Sequence, residues 1–271
     1  MTFQFSERHI DEYHRLGYTV FASILPDSLI GDLRRVTDRA RQIARDRAGL
    51  QTQRLQPVGK FELEQQPFID YTELPFLVDA LTRVLTPSHA QGGPGSMGIL
   101  LEPSELPYCT HWHRDWRDNV SGLDLARWDA VSGDRDLFNQ VNCALYADSC
   151  TWFVPGSHLR RDLPREVERF PNRPISGPDL EGKPAVEREQ LCLEYCRSMP
   201  GAVQIHLDTG DYALYRNTLW HIGNYVPYRK RATLHDFIDT PKYARWRQQE
   251  ATRANERREA GAGMENPNRD L

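Results

Sequence analysis

The run Thr110-His-Trp-His-Arg-Asp-Trp116 places His113 and Asp115 two residues apart. In an extended segment, side chains at that spacing project to the same face. Such a strand, or strand end, offers two metal ligands together and needs a third from elsewhere. His221, in Leu219-Trp-His-Ile-Gly-Asn224, is a candidate third. It follows the turn-like Thr209-Gly-Asp211 and a short apolar strand. Two histidines and one carboxylate on one face of a metal, with the other positions open, form the donor set of non-haem Fe(II) oxygenases. A lone His-x-Asp triplet also fits a polar surface strand. His111, two residues before His113, shares its face, so spacing alone leaves open which of the two would bind metal.

The 271 residues are 39% hydrophobic and 27% charged, the make-up of an ordinary globular chain. No apolar run approaches the roughly 20 residues of a membrane-spanning helix. The first residues lack the basic start and apolar core of a secretion signal. A net charge of −4 gives no reason to expect nucleic acid as a partner. A cytoplasmic setting is the expectation. Five cysteines without a secretion signal argue against a disulfide framework. Cys192 and Cys196 have no second Cys pair nearby and read as structural thiols.

Ser6 and Gly17 bracket a helix over about residues 7–16, and Tyr18–Ala22 reads as a strand. Pro26-Asp-Ser28 opens a second helix reaching about Arg47, with Ile30, Leu33, Val36, Ala40 and Ile43 as its apolar stripe. A short helix is expected over 74–85. The Gly/Pro-rich Gln91–Ser96 marks passage into a β-rich body. Expected strands are 97–102, 107–114, 138–146, 150–154, 202–207, 211–216 and 231–238, a spacing that suggests a barrel or sandwich. Residues 117–136 and 159–200 interrupt them with little periodicity. The longer one reads either as a lid over a site or as solvated surface. Pro241 to about Ala260 reads as a charged helix anchored by Tyr243 and Trp246.

Several landmarks then fall in one order. Gly17-Tyr-Thr-Val-Phe21 and Leu25-Pro26 come first, then His113-Arg-Asp115 and Val154-Pro-Gly-Ser-His158. Thr209-Gly-Asp211, Trp220-His221 and Arg229-Lys-Arg231-Ala232 follow. Together, across about residues 5–240, they resemble the phytanoyl-CoA dioxygenase family of Fe(II)/2-oxoglutarate oxygenases. The resemblance implies a mainly β fold: a double-stranded β-helix (a cupin-like jelly roll) with packed N-terminal helices and a C-terminal helix. It implies one oxygenase domain over 1–260. The helical part would cover about 1–90, the jelly-roll body about 97–240 and the last helix about 241–260. Residues 261–271 read as a disordered tail.

The same resemblance makes His113, Asp115 and His221 the iron ligands and catalytic centre. Arg231 would hold the distal carboxylate of 2-oxoglutarate, a task that suits the guanidinium fork. Arg229, read as sharing that strand face, is the alternative anchor. Asn142 and Gln140 are further candidate cosubstrate contacts. His158 is read as part of a structural turn. Two departures stand out: Tyr146–Trp152 lacks the Asn-Gly turn common in the family, and Gly223 stands where some relatives carry a Ser.

The activity implied is hydroxylation of a small-molecule metabolite with Fe(II), 2-oxoglutarate and O2, releasing succinate and CO2. Related halogenases lack the carboxylate, so Asp115 argues for hydroxylation, or for the desaturations and rearrangements such enzymes also perform, rather than halogenation. Trp112, Arg114, Trp116 and Arg117 flank the ligands, and some of them are expected at the site mouth, where arginines would attract an anionic substrate. Lys60 is another candidate contact, and Arg160, Arg161, Arg165, Arg169 and Arg173 lie on the long interruption. The alternative is a cupin-like metal enzyme or binding protein that does not use 2-oxoglutarate.

Overall fold

A computed structural model describes residues 3–171 and 174–260. Arg173 and the tail read over 261–271 lie outside the described residues. The chain opens with α1 (Glu7–Leu16), β1 (Tyr18–Phe21), α2 (Asp27–Ala48) and β2 (Arg54–Leu55). Next come α3 (Gln66–Thr72), α4 (Pro75–Val84), β3 (Ala90–Gln91), β4 (Gly98–Leu101) and β5 (Tyr108–Cys109). After α5 (Leu125–Val131) follow β6 (Asn139–Ala144), β7 (Thr151–Phe153), α6 (Pro164–Arg169) and α7 (Ala185–Ser198). The last elements are β8 (Val203–Gln204), β9 (Tyr212–Arg216), β10 (His221–Tyr225), β11 (Ala232–Asp239) and α8 (Pro241–Glu259).

The strands form two antiparallel sheets. The larger has the order β1-β9-β6-β11-β4-β2, with β3 also on β11. The smaller runs β5-β10-β7-β8. Strand alternation divides each strand between two environments. On β6, Val141 and Cys143 join the core beneath the N-terminal helices, where Phe21, Leu33, Phe68 and Leu81 are fully buried. Gln140 and Asn142 point the other way, into a cavity between the sheets. Apolar residues of both sheets, among them Phe153, Ala213 and Tyr215, close the inter-sheet space beyond that cavity.

The helix ends follow from local chemistry. Gly17 adopts φ +86°, and its N–H bonds to Tyr13 O at 3.0 Å, ending α1. In α2, Ile30, Leu33, Val36, Ala40 and Ala44 form the buried face. Ile43, expected on that stripe, is only half-buried, because Ala44 completes the inner row. The Thr240 hydroxyl accepts the Tyr243 N–H at 3.0 Å and starts α8.

The interruption over 159–200 is neither a lid over the inter-sheet cavity nor bare solvated loop. It contains α6 and α7, and it covers the outer face of the smaller sheet. There Cys196, Phe170, Ile175 and Met199 pack with Trp152, Ile222 and Trp220. The cysteines are free, and Cys192 and Cys196 are fully buried. No helix among the described residues is long and apolar enough to cross a membrane.

The Pro155–His158 turn packs directly on the end of α1. The Gly156 N–H bonds to Leu16 O at 2.8 Å, and Ser157 Oγ accepts the Trp220 N–H at 2.9 Å. A Cβ at Gly17 would lie 2.5 Å from His158 Nδ1. Gly17→Ala therefore combines a left-handed backbone with an overpacked contact. It should cost about 2–4 kcal/mol, read as a lower urea midpoint; an unchanged midpoint would contradict this packing.

Candidate metal centre

His113, Asp115 and His221 come together with their ligand atoms within 4.8 Å of one another. His113 and His221 face each other through a bridge between the segment after β5 and the start of β10. The His113 N–H bonds to His221 O at 3.1 Å, and the reverse bond is 3.0 Å. Both Nε2 atoms converge on Asp115 Oδ1, at 3.6 Å from His113 and 3.8 Å from His221. Each Nδ1 lies against a carbonyl that can only accept, His111 O at 2.8 Å and Leu219 O at 2.9 Å. Nδ1 therefore carries the proton, and each Nε2 presents its lone pair to the shared point. Burial, helped by His221, pushes His113 down to about 4, so its ring is neutral, the form that ligates a metal. Asn119 Nδ2 donates to Asp115 Oδ1 at 2.8 Å and fixes the carboxylate.

His111 is left outside this cluster, its ring 5.5 Å from that of His113. The chain turns sharply after the carboxylate: Trp116 has φ +66°, uncommon for a bulky residue. Its indole Nε1 donates to Tyr243 Oη at 3.0 Å, and its ring packs edge-on against Trp246 at 4.8 Å. The C-terminal helix thus holds the ligand loop. Arg114, between His113 and Asp115 in sequence, points away from their cluster. It is 1% exposed and donates to Ser157 O, Thr218 O and Asp162. Trp112 is fully buried in the outer core. None of Trp112, Arg114, Trp116 and Arg117 lines the metal cavity, so the expectation of their forming its mouth is corrected; Thr110 and Asn119 line it instead.

The cavity of about 240 Å³ runs between the sheets from the His113, Asp115 and His221 cluster to Arg231. Arg231 is 3% exposed, and its Nε donates to Asp148 Oδ2 at 2.7 Å. Thr233 Oγ1 donates to the same oxygen at 2.6 Å. Burial opposes the charge of Arg231, but Asp148 outweighs it and the pKa ends raised. The Nη1 of Arg231 is buried with no hydrogen-bond partner.

Arg229 is placed elsewhere. It sits in the turn before β11, exposed, donating to Ser149 Oγ at 3.0 Å. The turn breaks the strand alternation that would have given it the face of Arg231, so Arg229 is corrected as a cavity residue. Lys60 and the arginines 160, 161, 165 and 169 are likewise absent from the cavity lining.

Gln140 and Asn142 both face the cavity, where they flank a residue the sequence reading missed. Gln140 Nε2 donates to His235 Nε2 at 2.7 Å, and His235 Nδ1 donates to Asn142 Oδ1 at 2.8 Å. Asn142 Nδ2 continues the chain to Thr151 Oγ1 at 3.1 Å. Burial, then the charges of Arg54 and Arg231, pushes His235 well below its usual range, so it stays neutral. Its signal in the sequence was the alternation Arg231, Thr233, His235 along one strand. Asp148 had no such signal, because its role depends on a residue 83 positions later.

No protein-family model matches the sequence, and no curated protein matches it. Solved structures do match the fold. AviO1 from Streptomyces viridochromogenes Tue57 aligns with a TM-score of 0.56 at 15% identity, covering 86% of this chain and 94% of that one. The epimerase SnoN, in complex with Fe3+, alpha ketoglutarate and nogalamycin RO, aligns with a TM-score of 0.53 at 14% identity, over 86% and 83%. EctD from S. alaskensis with bound Fe gives 0.54 at 15% identity, over 87% and 77%. At these identities the likeness is one of fold: paired antiparallel sheets with packed helices, an architecture that includes non-haem iron enzymes.

Proposed function

We propose that the chain is a non-haem Fe(II)/2-oxoglutarate-dependent dioxygenase of double-stranded β-helix architecture, allied to the phytanoyl-CoA dioxygenase family. One observation carries the reading. A two-histidine, one-carboxylate cluster and a buried guanidinium with an unpartnered Nη1 stand at the two ends of one cavity. That donor set fits Fe(II), and the free N–H fits the distal carboxylate of a 2-oxoacid chelated at the metal. A cupin-like enzyme working without 2-oxoglutarate has no use for that cation.

His113, Asp115 and His221 would hold the iron, and Arg231 would orient 2-oxoglutarate. When bound, the two supply O2 activation with release of succinate and CO2. The protein's own share is placement and exclusion of water. Asn119 and the Nδ1 carbonyls fix the ligands, while the neutral His235 with Gln140 and Asn142 keeps the wall polar without adding charge. Asp115 fills the third protein position, which favours hydroxylation of a small-molecule substrate over halogenation. Loading purified protein with Fe(II) and following 2-oxoglutarate conversion to succinate tests the assignment; metal bound at the cluster without any such conversion would sink it.

Tyr225 is a second donor for the same carboxylate. Its ring stacks on Tyr108 at 4.8 Å, and the Arg231 guanidinium lies 5.0 Å from its centroid. A Cβ at Gly223 would lie 2.0 Å from Tyr225 Oη, so the hydroxyl occupies the place a side chain at 223 would take. The glycine makes room for the phenol at the position where some relatives in that family carry a serine. Tyr225→Phe should raise the 2-oxoglutarate Kd about tenfold, about 1.4 kcal/mol for one hydrogen bond to a charged group. Binding of 2-oxobutyrate, which lacks the distal carboxylate, should not change. Equal weakening of both ligands would contradict the role.

A further inference from the structure

A second cavity, of about 320 Å³, shares no lining residue with the metal site. It lies at the end of β9 on the side of α1, lined by Tyr13, His14, Asp134, Arg135, His158 and Arg216 among others. Arg216 is the unusual member. It is 1% exposed, yet its Nη2 bonds only to carbonyls, Ser132 O at 2.9 Å and Asp134 O at 2.6 Å. Its Nε has no hydrogen-bond partner. No carboxylate lies within ion-pair distance of Arg216 among the described residues. The Asp134 carboxylate lines the same cavity and feels the charge of Arg216, but its ion pair is with Lys242 Nζ, at 2.5 Å. A buried guanidinium with only neutral acceptors keeps an uncompensated charge, a costly arrangement unless an anion completes it.

The surroundings carry the same sign. Arg135 Nη1 lies 3.2 Å from His14 Nε2 and has no carboxylate partner among the described residues. Burial, then Arg135 and Arg216, lowers the pKa of His14 against the opposing pull of Asp11. Burial, then Arg216, pushes His158 down to about 4, against the opposing pull of a hydrogen bond with the His14 backbone. Two arginines and two neutral histidines line the pocket, and the one carboxylate on its wall, Asp134, is already paired with Lys242.

We propose that this cavity is a binding site for a small oxyanion, a phosphate or carboxylate group, with Arg216, Arg135 and His14 as its donors. The site stands independently of the oxygenase reading. It is joined to the metal loop through the backbone: the residue after Arg216 is Asn217, whose carbonyl accepts the Asp115 N–H at 2.9 Å. An anion holding Arg216 would therefore brace the strand end that carries the ligand loop.

The test is titration of the full chain with inorganic phosphate, and separately acetate, at fixed ionic strength, following heat of binding and Tm. Saturable binding of acetate is expected, tightening only as the pH falls below the ordinary histidine range, because burial and the two arginines lower the pKa at which His14 takes up a proton. The titratable and charged groups facing it are Asp11 on α1, Asp134 with its partner Lys242, Arg135, Arg216, His158 and Arg114. A preference for phosphate or for acetate identifies which oxyanion the site takes. Arg135→Gln, at an exposed position, should weaken binding at least tenfold, and Arg135→Glu should abolish it. Lys242→Ala, outside the cavity, should also weaken it, because Asp134 is then free to compensate Arg216. Asp115→Ala should bind the anion as tightly as wild type, which separates this site from the metal cavity. No saturable binding beyond that of chloride, or wild-type affinity in Arg135→Glu, overturns the proposal.

Discussion

Asp115→Ala is expected to lower Fe(II)-dependent 2-oxoglutarate turnover by about 1000-fold or more, about 4 kcal/mol in the barrier, with the fold intact. Asp115 is the sole anion among the three clustered ligands, and both Nε2 atoms converge on its Oδ1. Its removal leaves a dication held by two neutral rings. The fold should survive because the loop is fixed by other bonds. The Asp115 N–H reaches Asn217 O, and Trp116 is pinned by Tyr243 and Trp246. Succinate formation and a urea midpoint measured on one preparation separate the two effects. Wild-type turnover in this variant would refute the cluster as the metal centre.

Arg231→Lys should raise the 2-oxoglutarate Kd by about 30-fold or more, about 2 kcal/mol. The obvious Ala variant is the poorer test. It strands Asp148, whose side chain is 3% exposed, as a buried anion, at a cost of about 3–5 kcal/mol. Lysine keeps a charge for Asp148. It has a single nitrogen, however, and so gives up the fork that lets arginine hold Asp148 and a ligand carboxylate together. Affinity should fall while the thermal midpoint stays near wild type. Arg229→Ala, at the exposed turn, should leave both unchanged. If Arg229→Ala weakens 2-oxoglutarate and Arg231→Lys does not, the anchor is misassigned.

The parts of this molecule legible in its sequence are those whose signals are local. Ser6 and Gly17 delimit α1, the apolar spacing of α2 gives its buried face, and His-x-Asp spacing foretells the convergence of His113 and Asp115. Layers were harder to read. Every residue of β9 is buried, since helices cover one face and the second sheet the other, so no alternation marks which side faces the cavity. The helix α7 escaped notice because its fully buried positions are two cysteines four residues apart rather than a stripe of leucines. The strand β10 (His221–Tyr225) is missing from the expected set, and its Gly223 and Asn224 are residue types depleted in strands. It is held between β5 and β7 by pairing that only the folded chain supplies.

The cavity wall shows the same limit. Asp148 and Arg231 are 83 residues apart and meet through the register of β11 and the bridge of Asp148 to Leu207. Arg229 and Arg231 look equivalent in sequence, and only the turn ending before β11 separates an exposed residue from a buried one. The tryptophans and Arg114 around the ligands suggested a site mouth because strand alternation was extended past its end. In the folded chain, Arg114 and Trp116 belong to the turn that locks the ligand loop in place.

The central claim is most directly tested by titrating 2-oxoglutarate into anaerobic, Fe(II)-loaded protein and recording the visible spectrum. A charge-transfer band that requires both the metal and 2-oxoglutarate, and that is lost in Asp115→Ala, is the predicted result. Iron bound at the cluster with no such band at saturating 2-oxoglutarate would contradict the account.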